Sequence, residues 1–268
     1  MTPAQRRALA EEGYLVFGPD PATARWAAAA NRAADAALAD PALRARWLVC
    51  EGTWFIGVDA LPSDAAGSVA GVPLDGPAIR ALSPLPPLHP AQLSVTYPGY
   101  PRPRAGETAA AARYRRQRDG AHLDGLKAEG PERRRFAREP HAFILGLPLN
   151  RADSGASPLV IWPGSPRHMR TALAPVLANG DAADADVTEA YGAARAEVFE
   201  TCPRVALPLE PGMAVLLHPL MLHGVALWQE GARADGGRRI AYFRPPAPSL
   251  SALLTAWADA GAVTPPAA

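Results

Sequence analysis

The first ninety residues are dominated by strong helix formers, and beyond them the apolar positions come in short bursts of strand length. "PAQRRALAEEG" predicts a short helix stopped by Gly13, with "YLVF" after it as a short strand. "DPATARWAAAANRAADAALAD" carries a helix start signal in Asp20 and Pro21. Residues 63 to 90 mix Pro, Gly and Ser and predict loops with one helical turn. "AQLSVTYPGYP" then predicts a strand running into a turn, with Leu93, Val95 and Tyr97 alternating. "HAFILGLPL" and "SPLVIWPGS" are apolar runs of strand length, the second ending in a Pro-Gly turn. "CPRVALPLEPGMAVLLHPLMLHGVALW" predicts a strand, an "EPG" turn and one or two more strands. "RRIAYFRPP" supplies a last strand stopped by prolines. "DADVTEAYGAARAEVFETC" interrupts these as a surface helix.

Short strands punctuated by turns predict an antiparallel sandwich or barrel, so the expected class is α+β, a β-sandwich core with helices packed outside. No internal repeat or linker divides the chain. A single domain over 1–268 is expected, with a mainly helical and loop flank over 1–90, a core over 91–246 and a C-terminal helix and tail over 247–268.

Composition narrows the function classes. The chain is 49% hydrophobic and 20% charged, with a net charge of +1, whereas a nucleic-acid binder needs clustered excess charge to neutralise phosphates. The Arg-rich runs "RYRRQR" and "ERRRFAR" read as a solvated face or ion pairs with nearby acids. Their position on both sides of residues 122 to 124 keeps open a second reading, attraction of an anionic substrate. Cys50 and Cys202 match no zinc spacing and read as buried thiols, and no stretch has the form of a signal peptide or membrane span. No membrane association and a cytoplasmic location are the expectations; nothing in the chain reports oligomeric state.

Candidate chemistry centres on "RDGAHLDGLKAEG", which sets His122 and Asp124 two apart between glycines. On an extended segment residues i and i+2 share a face, so the two side chains can converge on one point. By themselves they fit an incidental surface pair, half of a proton relay, or two ligands of a metal. A metal needs at least one more protein ligand, and His218 and His223 in "LLHPLMLHGVALW" are the candidates. Downstream, "GGRRIAYFR" supplies Arg238, Arg239 and Arg244 on a strand, where a buried guanidinium is costly unless an anion pairs with it. His141 reads as a satisfied structural histidine, His89 and His168 as loop residues and Trp162 as core.

Taken in order, "HLD", "SPLVIWPGS", "LHG" and "RRIAYF" resemble the phytanoyl-CoA dioxygenase family of iron(II)/2-oxoglutarate-dependent oxygenases. The resemblance covers about residues 90 to 246, with "EEGYLVF" a fainter match near the start. It implies a double-stranded β-helix (jelly-roll, cupin-like) core with flanking N-terminal helices. His122, Asp124 and His223 match the ligands of Fe(II), with His223 preferred to His218 because Gly224 follows it. Arg238, with Arg239 close behind, matches the arginine that binds 2-oxoglutarate, and only one of two adjacent strand residues can face the pocket. Gln92 and Tyr97 stand on the strand before the HxD and are candidates to reach the cosubstrate or substrate. The implied activity is hydroxylation of a small-molecule substrate, with O2 consumed and 2-oxoglutarate decarboxylated to succinate. The Asp124 carboxylate points away from halogenation, because halogenases of this superfamily replace it with a small residue. Departures from the family pattern are a longer His223-to-Arg238 loop, Val225 and Trp228 where Ser and Asn are common, and Pro166 where a His is usual. Segments 98–120 and 226–237 are expected to frame the pocket mouth. Two other readings of the same residues are a cupin-like metalloenzyme that does not use 2-oxoglutarate and a non-catalytic binding protein.

Overall fold

The computed structural model describes residues 1–178, 184–247 and 254. Local signals start its helices. Thr2 and Gln5 form a capping box at α1 (Pro3–Glu11), which leads into β1 (Tyr14–Phe17). The Asp20 carboxylate accepts from the backbone N–H groups of Ala22 and Thr23 and opens α2 (Pro21–Ala39). Asp40 does the same for α3 (Pro41–Trp47). The short strands β2 (Leu48–Val49) and β3 (Trp54–Phe55), the helix α4 (Pro77–Leu82) and the strand β4 (Gln92–Thr96) follow. Next come α5 (Ala109–Gln117), the hairpin of β5 (Leu126–Glu129) and β6 (Arg134–Ala137), then β7 (Ile144–Pro148) and β8 (Leu159–Ile161). Two consecutive helices, α6 (Ser165–Leu177) and α7 (Thr188–Thr201), precede β9 (Val205–Leu207), β10 (Ala214–Leu217), β11 (His223–Val225) and β12 (Arg238–Phe243).

The strands make two facing antiparallel sheets. The larger has the order β1-β10-β7-β12-β4-β3-β2 and the smaller β11-β8-β9. His122 forms an isolated antiparallel bridge to His223, which lays the HxD segment along the free edge of β11. From β4 onward the chain passes to and fro between the sheets: β4, the HxD segment, β7, β8 and β9, β10, β11, β12. That alternation is the double-stranded β-helix, and it accounts for the fold as a jelly roll.

Three apolar layers hold it. Ile144, Val215 and Leu217 of the large sheet meet Leu159, Ile161 and Leu207 of the small sheet between the two. The outer face of the large sheet, including Leu93, Val95, Leu145, Ala241 and Phe243, is covered by Trp26, Ala27, Ala30 and Ala34 of α2. Trp26 is fully buried and also donates its indole N–H to the Gly67 carbonyl at 2.8 Å. The outer face of the small sheet is covered by α6 and α7, through Met169, Leu173, Tyr191 and Val198. Alternate residues of a strand therefore look either toward helices or into the space between sheets.

Several elements differ from the expectation. Within the mainly helical and loop flank over 1–90, the predicted "YLVF" strand is β1 and extends one edge of the large sheet, whereas β3 and β2, which extend the other, were not expected. Thr108 caps α5, so the Arg-rich "RYRRQR" lies mostly on a helix. Its partner run forms β6, and two of its four arginines are ion-paired, Arg134 with Asp186 and Arg138 with Glu129 and Asp184. Gly164, expected in a turn, adopts φ +85° and caps α6. The expected C-terminal helix and tail lies outside the described residues but for Ala247 and Leu254.

Candidate metal centre

Close packing of two strands builds the site. A Cβ on Gly224 would collide with the Asp119 carbonyl, so glycine there lets β11 approach the HxD segment. Asp119 is buried and takes a two-pronged contact from Arg204, at 2.7 and 2.8 Å, which anchors the turn before His122. On the other side Gly125 adopts φ +81°, and its missing Cβ leaves room for the Glu139 carbonyl. The two imidazole centroids come to 4.6 Å across the bridge.

Ligand atoms of His122, Asp124 and His223 all lie within 4.8 Å of one another. The His122 Nδ1 is 3.0 Å from the Gly120 carbonyl and the His223 Nδ1 is 2.9 Å from the Met221 carbonyl. A carbonyl only accepts, so each Nδ1 carries the proton and each Nε2 keeps its lone pair for a metal. Those two Nε2 atoms sit 3.3 and 3.8 Å from the Asp124 carboxylate. Burial pushes the His223 imidazole down to about 4, so it stays neutral over the physiological range. Burial alone would raise the Asp124 carboxyl; the two imidazoles and the Arg244 guanidinium beside it outweigh that and hold it well below the usual carboxylate range. The Arg244 guanidinium pairs with Asp124 at 3.2 Å and also donates to Gln92 Oε1. Two imidazoles that turn Nε2 inward and one carboxylate on one face are the donor set of a divalent non-haem metal.

His218, the other candidate ligand, is fully buried and elsewhere engaged. Its Nδ1 accepts from the Leu220 N–H at 2.9 Å, and its Nε2 lies 3.2 Å from Arg170 Nη2. His141 departs from the expectation of a satisfied histidine: both buried ring nitrogens lack a hydrogen-bond partner.

Around the three side chains the chamber is lined by Trp54, Gln92, Ser94, Ile144, Leu159, Tyr242 and Arg244. Gln92 therefore reaches it, whereas Tyr97 has the opposite parity on the chain and packs with the helix-covered layer. The two adjacent arginines separate as period two requires. Arg238 shares its face with Tyr242, which it hydrogen-bonds, and is 8% exposed. Arg239 faces the other way, where its Nη1 contacts Asp35 at 2.6 Å and Asn31 at 3.0 Å on α2. Arg239, expected as a cofactor contact, is thus a link between sheet and helix.

Opposite Arg238 in the register is Thr96, fully buried, whose hydroxyl has no hydrogen-bond partner. Among the described residues no carboxylate pairs with Arg238. A buried guanidinium and an orphaned hydroxyl side by side fit the carboxylate of a bound ligand. Thr96, Tyr242 and Trp54 were not singled out from the sequence. Pairing the "RRIAYF" strand with "AQLSVT" would have exposed Thr96; Trp54 lies on a strand too short to show a period.

No family model matches the chain, and no curated protein matches it. Solved structures similar to it include the non-heme alpha ketoglutarate dependent carbocyclase SnoK from nogalamycin biosynthesis, at 14% identity and a TM-score of 0.48, covering 94% of this chain and 88% of that one. EctD from S. alaskensis, solved with 2-oxoglutarate and 5-hydroxyectoine, is similar at 19% identity and a TM-score of 0.47, over 91% of this chain and 76% of that one. AviO1 from Streptomyces viridochromogenes Tue57 is similar at 16% identity and a TM-score of 0.42, over 92% and 95% of the two chains. No helix of the described residues is long and apolar enough to cross a membrane.

Proposed function

We propose that the chain is a non-haem Fe(II)/2-oxoglutarate-dependent dioxygenase that hydroxylates a small molecule. The observation that carries the reading is the convergence of His122, Asp124 and His223, with both Nε2 atoms free to ligate. Those three residues would hold iron. Bound iron supplies the activation of O2, at the expense of 2-oxoglutarate, that ends in hydroxylation and release of succinate and carbon dioxide.

The protein's own work is to position and to exclude. Met221 and Gly120 fix the imidazole orientation through their carbonyls. Arg238 and Thr96 fit the far carboxylate of 2-oxoglutarate, one by charge-assisted hydrogen bonds and the other through a hydroxyl otherwise unpaired. Tyr242 orients the guanidinium from the same face. Ile144 and Leu159 keep one wall dry. Arg244 balances the Asp124 charge through their 3.2 Å contact.

A cupin-like metalloenzyme without 2-oxoglutarate would leave the burial of Arg238 and Thr96 without a purpose, which favours the first reading. Anaerobic addition of Fe(II) and 2-oxoglutarate is expected to give a weak visible charge-transfer band. Stoichiometric iron with no band when 2-oxoglutarate is added overturns the cosubstrate assignment. Asp124→Ala is expected to abolish 2-oxoglutarate-dependent turnover, and undiminished succinate formation would remove Asp124 from the ligand set.

A further inference from the structure

His122 also lines a second cavity, of about 510 Å³, and the charge there is one-sided. Arg104 and Arg115 come to it from α5 and the loop before it, Arg133 and Arg135 from the β5–β6 hairpin, and Arg195 from α7. The single carboxylate in the lining, Glu107, is taken by Arg115 at 2.5 Å. Among the described residues Arg104, Arg133, Arg135 and Arg195 have no carboxylate at ion-pair distance. A third cavity, reached from the chamber through Gln92, Tyr242 and Arg244, is balanced by comparison. There Arg138 is held by Glu129 and Asp184 and Arg244 by Asp124, while Glu139 pairs with Lys127 and Asp59 adds negative charge.

Guanidiniums gathered from separate elements repel one another, and a low-dielectric wall strengthens that repulsion unless an anion sits among them. Their surroundings hold them in place. Arg195 lies over the rings of Tyr114 at 4.8 Å and Tyr191 at 5.1 Å, a stacking that uses its face and leaves in-plane donors over. Tyr114 in turn donates its hydroxyl to the Ala121 carbonyl at 2.7 Å, one residue from His122. The Nε of Arg115 is buried with no partner. Arg195 is thereby fixed relative to His122.

We propose that this cavity is the substrate pocket, and that its arginines bind an oxyanion, phosphate or carboxylate, on the molecule presented at His122. The reaction at that molecule rests on the oxygenase reading; the oxyanion site does not. Calorimetric titration of the full chain at low salt with inorganic phosphate, and separately with 3-phenylpropionate, tests it. Saturable binding of either probe is expected, weakened about tenfold in Arg133→Gln and in Arg195→Gln and unchanged in Arg6→Gln, whose side chain lies outside the cavity. Phosphate alone binding assigns a phosphorylated substrate, and the carboxylate alone binding assigns an acid. No binding of either probe, or binding unaffected by both cavity variants or lost only in Arg238→Gln, overturns the proposal. Thermal melts confirm that the variants fold. Neither probe needs iron, so retained oxyanion binding without the charge-transfer band defeats the oxygenase reading alone.

Discussion

Two arginines stand side by side on β12, Arg238 facing the small sheet and Arg239 facing helix α2. Both carry the same charge on the same strand, and both are largely withdrawn from solvent. Arg239 meets Asp35 and Asn31, residues one helical turn apart that the fold itself supplies. Arg238 hydrogen-bonds Tyr242 and stands opposite a threonine hydroxyl, and among the described residues neither a carboxylate beside it nor a partner for that hydroxyl is found. One guanidinium is therefore complete within the protein and the other is incomplete. Burying an unpaired cation is costly, and that cost is what supports the proposed binding role of Arg238.

The sharpest way to break this contrast is Arg238→Ala. Losing a buried, charge-assisted pair is expected to weaken 2-oxoglutarate binding by about a hundredfold or more, measured by the charge-transfer band. Arg238→Lys recovers only part, because an ammonium cannot reproduce the two-pronged contact. Unchanged affinity in Arg238→Ala would show that the far carboxylate binds elsewhere.

The two histidines of "LLHPLMLHG" repeat the contrast, since His218 finds its partners inside the protein and His223 turns Nε2 toward Asp124. In metal-free protein His223 titrates near 4, whereas an unfolded histidine takes its proton near 6.5. Between those values the unfolded state binds more protons, so His223 contributes stability above about pH 6.5 that is lost as pH falls toward 4. Melting temperature is expected to drop on acidification through that window, and less so in His223→Gln. Bound iron should keep that slope and extend it below pH 4, because a ligating nitrogen cannot be protonated in the folded state while the unfolded one still takes its proton. An identical pH slope in wild type and His223→Gln would exclude the buried neutral imidazole as its source.

Thr96→Val gives the smaller, finer measure of the chamber side. If the orphaned hydroxyl serves the ligand, valine costs roughly 1 kcal/mol of 2-oxoglutarate affinity, close to a fivefold change, while the ligand-free protein melts no lower. Equal affinity with raised stability would mean that the hydroxyl is a defect of packing rather than a contact.

These contrasts also mark what the sequence made legible. Strands β4, β7, β8 and β12 were evident because their apolar runs have strand length and end in Pro or Gly, and "HLD" and "LHG" named the three side chains that the fold brings within 4.8 Å of one another. Choosing between Arg238 and Arg239 required only the period of a strand, but the direction of that period depends on which sheet face α2 covers. Trp54 and Thr96 were hidden for a different reason: their roles come from pairing with residues far along the chain, Ser94 with the Trp54 indole and Arg238 with Thr96. The hairpin β5–β6 was missed because its exposed polar positions carry no apolar period.

The mildest expected effect belongs to the complete arginine. Arg239→Ala removes a contact to Asp35, but Asp35 is 64% exposed and water replaces much of what it loses. The Arg239 side chain itself is 12% exposed, so truncation also uncovers apolar stem packed on α2. Together these are expected to cost about 1 kcal/mol of stability, a small downward shift in melting temperature, with 2-oxoglutarate affinity unchanged. The opposite result, an intact melting curve with lost cosubstrate affinity, would exchange the roles of the two arginines. It would require β12 to turn over relative to the sheets, which would expose Ala241 and Phe243 to the chamber and drive Ile240 into the helix layer. The burial of all three against their present neighbours is what holds Arg238, and not Arg239, on the metal side.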